Sequence, residues 1–156
     1  MLDNIKILVN NKKAFYDYFL EDFVECGIEL KGSEIKSLRK NGASLRDSYI
    51  VIRDFEAYIL NMRISPYEQG ASFNHEPDRT RKLLLHKKEI KKLYQKAKEK
   101  AMTIVPTKVY LKKGRAKVEI ALAKGKKLFD KRDVERKKED QRTMDKAIKN
   151  GDKYYD

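Results

Sequence analysis

The chain has 156 residues, 40% of them hydrophobic and 39% charged, with a formal net charge of +13. That length fits one folded body with an appendage rather than two domains, and so high a charge content folds only if the charges are segregated. Cys26 is the single cysteine, which excludes an intramolecular disulfide and a cysteine-based metal cluster within one chain, and no run approaches the roughly 20 apolar residues of a membrane span.

The charges are segregated along the chain. Residues 1–78 hold ten Lys/Arg against thirteen Asp/Glu, residues 79–117 fifteen against two, and residues 118–156 twelve against nine. A middle of net +13 in an otherwise near-balanced chain is the electrostatic footprint of a polyanion partner. The first ten residues carry neither the basic start nor the apolar run of a signal peptide, and the lone thiol suits a reducing compartment, so the expected location is cytoplasmic.

In chain order, the aromatic and β-branched stretch from Tyr16 to Leu30 predicts a long bent strand, with a bulge or corner at Gly27. Glu34–Lys40 reads as a short helix capped by Ser33 and closed by Gly42 in a left-handed conformation. Alternation through Tyr49–Ile52 and then Tyr58, Leu60, Met62 and Ile64 predicts an antiparallel hairpin turning at Arg53–Glu56. Residues 65–78, with two prolines, a glycine and no periodicity, read as a long loop. Arg79-Thr80-Arg81-Lys82 is a dense basic patch suited to gripping phosphate, followed by the apolar Leu83-Leu84-Leu85. Ile90, Leu93, Tyr94, Ala97 and Ala101 recur at helical spacing, which predicts an amphipathic helix over 86–101 with a lysine ridge of Lys87, Lys88, Lys91 and Lys92. A second hairpin runs from Thr107 to Leu122, turning at Lys112-Lys113-Gly114-Arg115. From Lys124 onward the chain is dominated by charge and has no stripe broad enough to hold it on a core.

Short strands, two hairpins and no βαβ alternation give the expected fold: mainly β, a small antiparallel oligonucleotide-binding-type barrel with peripheral helices. The expected body spans 1–123 and the basic tail 124–156, disordered alone and ordering on binding. Tyr16, Tyr18, Phe19, Tyr49, Tyr58 and Tyr110 are aromatics able to stack on bases, although most strand aromatics are expected in the core.

No enzyme class emerges from the residues. Neither His75 nor His86 has an evident partner, His75-Glu76 reads as an inert surface-loop pair, and no phosphate loop or paired metal-ligand motif occurs. Glu21, Asp22 and Glu25 lie close in sequence, but strand alternation is expected to place Asp22 on the face opposite the other two. No cofactor and no metal are expected. A ribosomal or initiation-factor-like barrel and a small ribonuclease are the competing readings of the residues.

Four strings in register carry a resemblance: residues 27–39 (GIELKGSEIKSLR), Asp47-Ser48-Tyr49, residues 79–85 (RTRKLLL), and Ala123-Lys124-Gly125-Lys126-Lys127 with Asp130-Lys131-Arg132. From about Asn11 to Lys149 the chain resembles the small protein B family of bacterial tmRNA-binding factors. The resemblance implies an oligonucleotide-binding-type barrel with three helices that binds the tRNA-like domain of tmRNA as a monomer. It also implies entry into stalled ribosomes with elongation factor Tu, and contact with small-subunit RNA at the decoding centre. By position, Glu25, Lys36, Arg39, Arg81, Lys82, Leu84 and His86 fall at the tmRNA interface. Lys124, Lys126, Lys127, Asp130, Lys131 and Arg132 begin a tail that, by the resemblance, enters an empty mRNA channel and becomes helical there. His86 stands where some relatives have Asn, Cys26 where Ala is common, and the chain lacks the tail Trp of some relatives.

Overall fold

A computed structural model describes residues 4–67 and 74–126. Its framework is one antiparallel sheet. The elements are β1 (Ile5–Asn10), α1 (Lys12–Asp17), β2 (Tyr18–Ile28), α2 (Gly32–Asn41), β3 (Tyr49–Arg53), β4 (Glu56–Leu60), β5 (Arg81–Leu84), α3 (Lys87–Glu99), β6 (Thr103–Lys112) and β7 (Arg115–Gly125). The strand order is β1-β6-β3-β4-β5-β2-β7, and β6 also pairs with β7, so six strands close into a ring with β1 flanking β6. This is the mainly β, antiparallel architecture that the residues predict, with the three helices that the resemblance implies.

Two hairpins supply much of the ring. Both turn on two residues with positive φ, Asp54-Phe55 (53° and 60°) and Lys113-Gly114 (51° and 78°), the left-handed pair that a type I′ turn requires. Glycine at the second site meets that demand without a side-chain clash. Phenylalanine does not.

Alternation along the strands fills the interior. Cys26 and Ile28, Ala57 and Ile59, Arg81 and Leu83, and Val118 and Ile120 point inward from four adjacent strands, and α2 and α3 cover the assembly with Leu38, Ile90, Leu93 and Ala97. Burial pushes the Cys26 thiol well above its usual range, which makes it an inert core residue.

Three local expectations are corrected. Tyr16 belongs to α1, because Asn11 caps a helix there by accepting from the Ala14 amide at 3.2 Å, so β2 starts only at Tyr18. The bulge of β2 lies between Glu21 and Val24, with Asp22 at φ 54°, and not at Gly27. Gly27 instead permits close approach: a Cβ there would sit 3.2 Å from the Leu84 Cβ on β5. Ser33 lies inside α2 rather than capping it, since the cap is Lys31, whose amide donates to Glu34 Oε1 at 2.7 Å. Gly42 closes α2 at φ 71°, as expected.

Candidate nucleic-acid interface

Strand alternation splits the basic patch of residues 79–82 in two. Arg81 shares the inward side with Leu83 and is fully buried, so it is not the surface residue the sequence suggests. Its Nε donates to Glu34 Oε2 at 2.5 Å, and its two terminal nitrogens donate to the Met62, Arg79 and Pro77 carbonyls. Arg79 reaches the same carboxylate from the rim, Nη2 to Oε1 at 2.6 Å and Nε to Oε2 at 3.2 Å. Burial alone would raise the Glu34 pKa, but Arg79, the Lys31 amide and Arg81 outweigh it and hold the carboxyl down at about 2. The two arginines therefore lock α2 onto β5.

His75 is also structural. It is buried, with Nε2 donating to the Ile64 carbonyl at 2.8 Å and Nδ1 facing Ser33 Oγ at 2.9 Å, so the expectation of an inert surface-loop residue is corrected. Sequence reasoning missed this because nothing in a proline-flanked stretch announces a buried anchor.

The outward face holds the remaining candidates. Lys82 and Leu84 leave β5 on one side, and Leu84 is 47% exposed because Gly27 beside it carries no side chain. Lys82 Nζ donates to Glu56 Oε1 at 3.0 Å, and Tyr58 donates to the other oxygen at 2.7 Å. His86 is the exposed N-cap of α3, its amide donating to Glu89 Oε1 at 3.2 Å. Beyond it the ridge of Lys87, Lys88, Lys91 and Lys92 is exposed, and among the described residues none of the four has a carboxylate within salt-bridge distance. The lower end of the same helix is neutralised, with Lys96 on Asp22 at 2.9 Å and Lys100 on Glu21 at 3.2 Å. Along α3, four of the five exposed lysines with no carboxylate within salt-bridge distance among the described residues thus lie in its N-terminal half, beside Leu84 and His86; the fifth, Lys98, lies 5.7 Å from the Tyr94 ring centroid. The helix keeps its hold on the ring through Ile90, Leu93 and Ala97 on the opposite side.

The β2 bulge redistributes the three carboxylates. Glu21 and Asp22 both reach α3, while Glu25 stands apart, so the expected pairing of Glu21 with Glu25 on one face does not occur. Glu25 accepts from the Tyr110 hydroxyl, which together with Lys112 Nζ at 3.4 Å lowers its pKa and keeps it ionised at the surface. Tyr110 is buried, and burial first and Glu25 second raise its own pKa. Among the described residues no three His, Cys, Asp or Glu side chains are placed to hold a metal ion.

Lys36 and Arg39 lie one turn apart on the outer side of α2. Lys36 Nζ sits 5.9 Å from the Tyr67 ring centroid, and Arg39 Nη2 donates to the Gly114 carbonyl at 3.0 Å, tying the helix to the β6–β7 turn. Lys124, which the sequence assigns to the tail, is a β7 residue paired with Phe19. Lys126 follows the strand, with Nζ 3.1 Å from the Phe15 carbonyl and 5.4 Å from the Phe19 ring centroid. Lys127, Asp130, Lys131 and Arg132 lie outside the described residues.

The aromatics depart from the core expectation as well. Of the six singled out, only Tyr110 is buried, and Tyr16, Phe19 and Tyr49 are exposed. Sequence reasoning missed Phe55, which is 57% exposed at the β3–β4 turn. Lys91 Nζ lies 5.5 Å from its ring centroid. A bulky side chain held at positive φ costs about 1–2 kcal/mol. An exposed cation–π contact returns about 0.5–1 kcal/mol. The contact does not offset the strain. The signal in the sequence was the dipeptide Asp54-Phe55 at a two-residue turn where Asp-Gly is the preferred pair.

Comparison with known proteins places these features in a family. The model of the family described as SmpB protein matches residues 8–150. An SsrA-binding protein of Geobacter metallireducens is 52% identical over 144 residues, covering 92% of this chain and 94% of that protein. One from Sulfurihydrogenibium is 53% identical, with coverage of 92% and 95%. One from Halothermothrix orenii is 49% identical over 152 residues, with coverage of 97% and 98%. Among solved structures, a chain of the one described as "tmRNA-SmpB: a journey to the center of the bacterial ribosome" superimposes with a TM-score of 0.68 at 42% identity, over 86% of this chain and 94% of that one. With a match that runs through the ring, all three helices and beyond the last strand, the chain belongs to the SmpB family.

Proposed function

We propose that this protein is an RNA-binding factor of trans-translation: it binds the tRNA-like domain of tmRNA, enters stalled ribosomes with it, and uses residues beyond Lys126 to sense an empty mRNA channel. The observation that carries this reading is the likeness to SsrA-binding proteins over nine-tenths of the chain, joined to a lysine ridge that has no carboxylate within salt-bridge distance among the described residues. Phosphate neutralisation by Lys87, Lys88, Lys91 and Lys92 supplies a salt-dependent, shape-directed grip. Leu84 and His86 stand at the head of that ridge, Lys36 and Arg39 extend the positive surface over α2, and Lys82 joins it on β5 once phosphate takes the place of Glu56. The ionised Glu25 accepts hydrogen bonds from exocyclic amino groups of bases, a contact that phosphate-binding lysines cannot make. Arg81 contributes from inside, by fixing β5 and α2 so that Lys82, Leu84, Lys36 and Arg39 keep their places.

The protein acts without a catalytic step of its own, at the ribosome in the cytoplasm, as a monomer, with delivery by elongation factor Tu. A reconstituted rescue assay tests this. Ribosomes halted at the end of a truncated message should tag their nascent peptide only when both tmRNA and this protein are added. Ribosomes paused with message filling the channel should tag far less. Equal tagging on both would remove the channel-sensing part of the reading, and no tagging on either would remove the whole.

A further inference from the structure

Phe55 is the exposed residue the described fold explains least. It occupies the second position of a type I′ turn, where the equivalent residue of the β6–β7 hairpin is Gly114, and its backbone is held at φ 60°. More than half of it is open to solvent, and Lys91 occupies one face of the ring. The surroundings carry both signs: Arg53 and Lys91 are exposed cations, Asp54 and Glu56 flank the residue in the chain, and Glu56, already engaged by Tyr58 and Lys82, has its pKa lowered further by Lys87. Register places Leu84, the other exposed apolar side chain here, one step beyond the Ala57–Leu83 pair. An exposed aromatic held proud of the surface by a strained turn, one face open and beside lysines with no carboxylate within salt-bridge distance among the described residues, is the arrangement that receives a flat group flanked by negative charge.

We infer that Phe55 is a base-stacking residue: an unpaired nucleobase of a folded RNA lies on its free face while Lys87 and Lys91 hold the flanking phosphates. The inference rests on the RNA-binding reading above and adds to it a contact made through the base and not the backbone. Stacking on an aromatic side chain is tolerant of base identity and is lost when the ring is removed. It is therefore separable from the lysine contribution. Removing a ring leaves the salt slope unchanged, whereas removing a phosphate-binding lysine flattens it.

The test uses full-length protein, the tRNA-like domain of tmRNA, and two variants. Phe55→Gly restores the preferred Asp-Gly turn, so it should melt no lower than wild type, yet bind the RNA about 10- to 100-fold more weakly with an unchanged salt slope. Phe55→Trp should keep the affinity, and because the chain has no other tryptophan, its fluorescence should be quenched as RNA saturates it. Wild-type affinity in the glycine variant, or unquenched emission from the tryptophan variant at saturation, overturns the inference. A lower melting temperature for Phe55→Gly overturns its strain premise. A wild-type protein that does not prefer this RNA to tRNA defeats the proposed function instead, so the two failures are distinguishable.

Discussion

Glu34→Gln should destabilise the protein by about 3–5 kcal/mol in urea unfolding at neutral pH, since removing one partner of a buried ion pair leaves the other charge uncompensated. Arg81 has no route to solvent, and burial already depresses its pKa against the opposing pull of Glu34. Most domains have only about 5–15 kcal/mol in total, so this loss alone brings the variant near unfolding at physiological temperature. The same pair makes stability depend on pH. Glu34 titrates near 4.5 when unfolded and is held at about 2 when folded. Its contribution is therefore present above about pH 4.5 and lost as pH falls from there toward 2. A depression of that size corresponds to about 3 kcal/mol for this buried group. Glu34→Gln should lose stability less steeply between pH 5 and 3 than wild type does. Combining it with Arg81→Met should recover part of the loss, because an apolar side chain no longer needs a carboxylate. A change below about 1 kcal/mol in the single variant would mean that Arg79 and the carbonyls around Arg81 hold α2 to the ring without the carboxylate.

Ending the chain after Lys126 should abolish peptide tagging on stalled ribosomes while leaving the affinity for tmRNA within about a factor of two. The structure sets the cut: β7 runs to Gly125 and pairs with Tyr18, so a cut after Ala123 would damage the ring. Charge explains why affinity survives. Residues 127–156 hold ten Lys/Arg against eight Asp/Glu, so residues 1–126 keep +11 of the net +13 and most of the attraction for phosphate. A tenfold loss of affinity would place part of the tmRNA grip beyond the ring. Undiminished tagging would remove the sensing role from those residues.

Most of the strands and the two long helices were legible because their signals are local. The 3.6-residue spacing of Ile90, Leu93 and Ala97 gives α3, and the alternation of Val118, Ile120 and Leu122 gives β7. β1 left no such mark: its Lys6-Ile7-Leu8-Val9 is an outer strand, largely exposed, that exists through pairing with β6. The candidate interface was legible as a charge excess but not as a set of side chains. Arg81 and Lys82 look equivalent in sequence, and only the direction of strand β5 decides that one is buried on Glu34 and the other faces out. The β2 bulge acts similarly, sending Asp22 and Glu21 together to α3 when plain alternation would separate them. His75 went unread because a buried anchor is a product of tertiary contacts that composition does not encode, whereas Phe55 left a local signal, a phenylalanine where a two-residue turn prefers glycine.

The most direct test of the central claim is the affinity of the full-length protein for the tRNA-like domain of tmRNA against an ordinary tRNA of equal length, across a salt series. The account predicts a much tighter complex with the tmRNA domain, with affinity for both RNAs falling as salt rises because each neutralised phosphate releases counterions. Equal, weak binding to the two would contradict it, and would reduce the lysine ridge of α3 to a general grip on RNA.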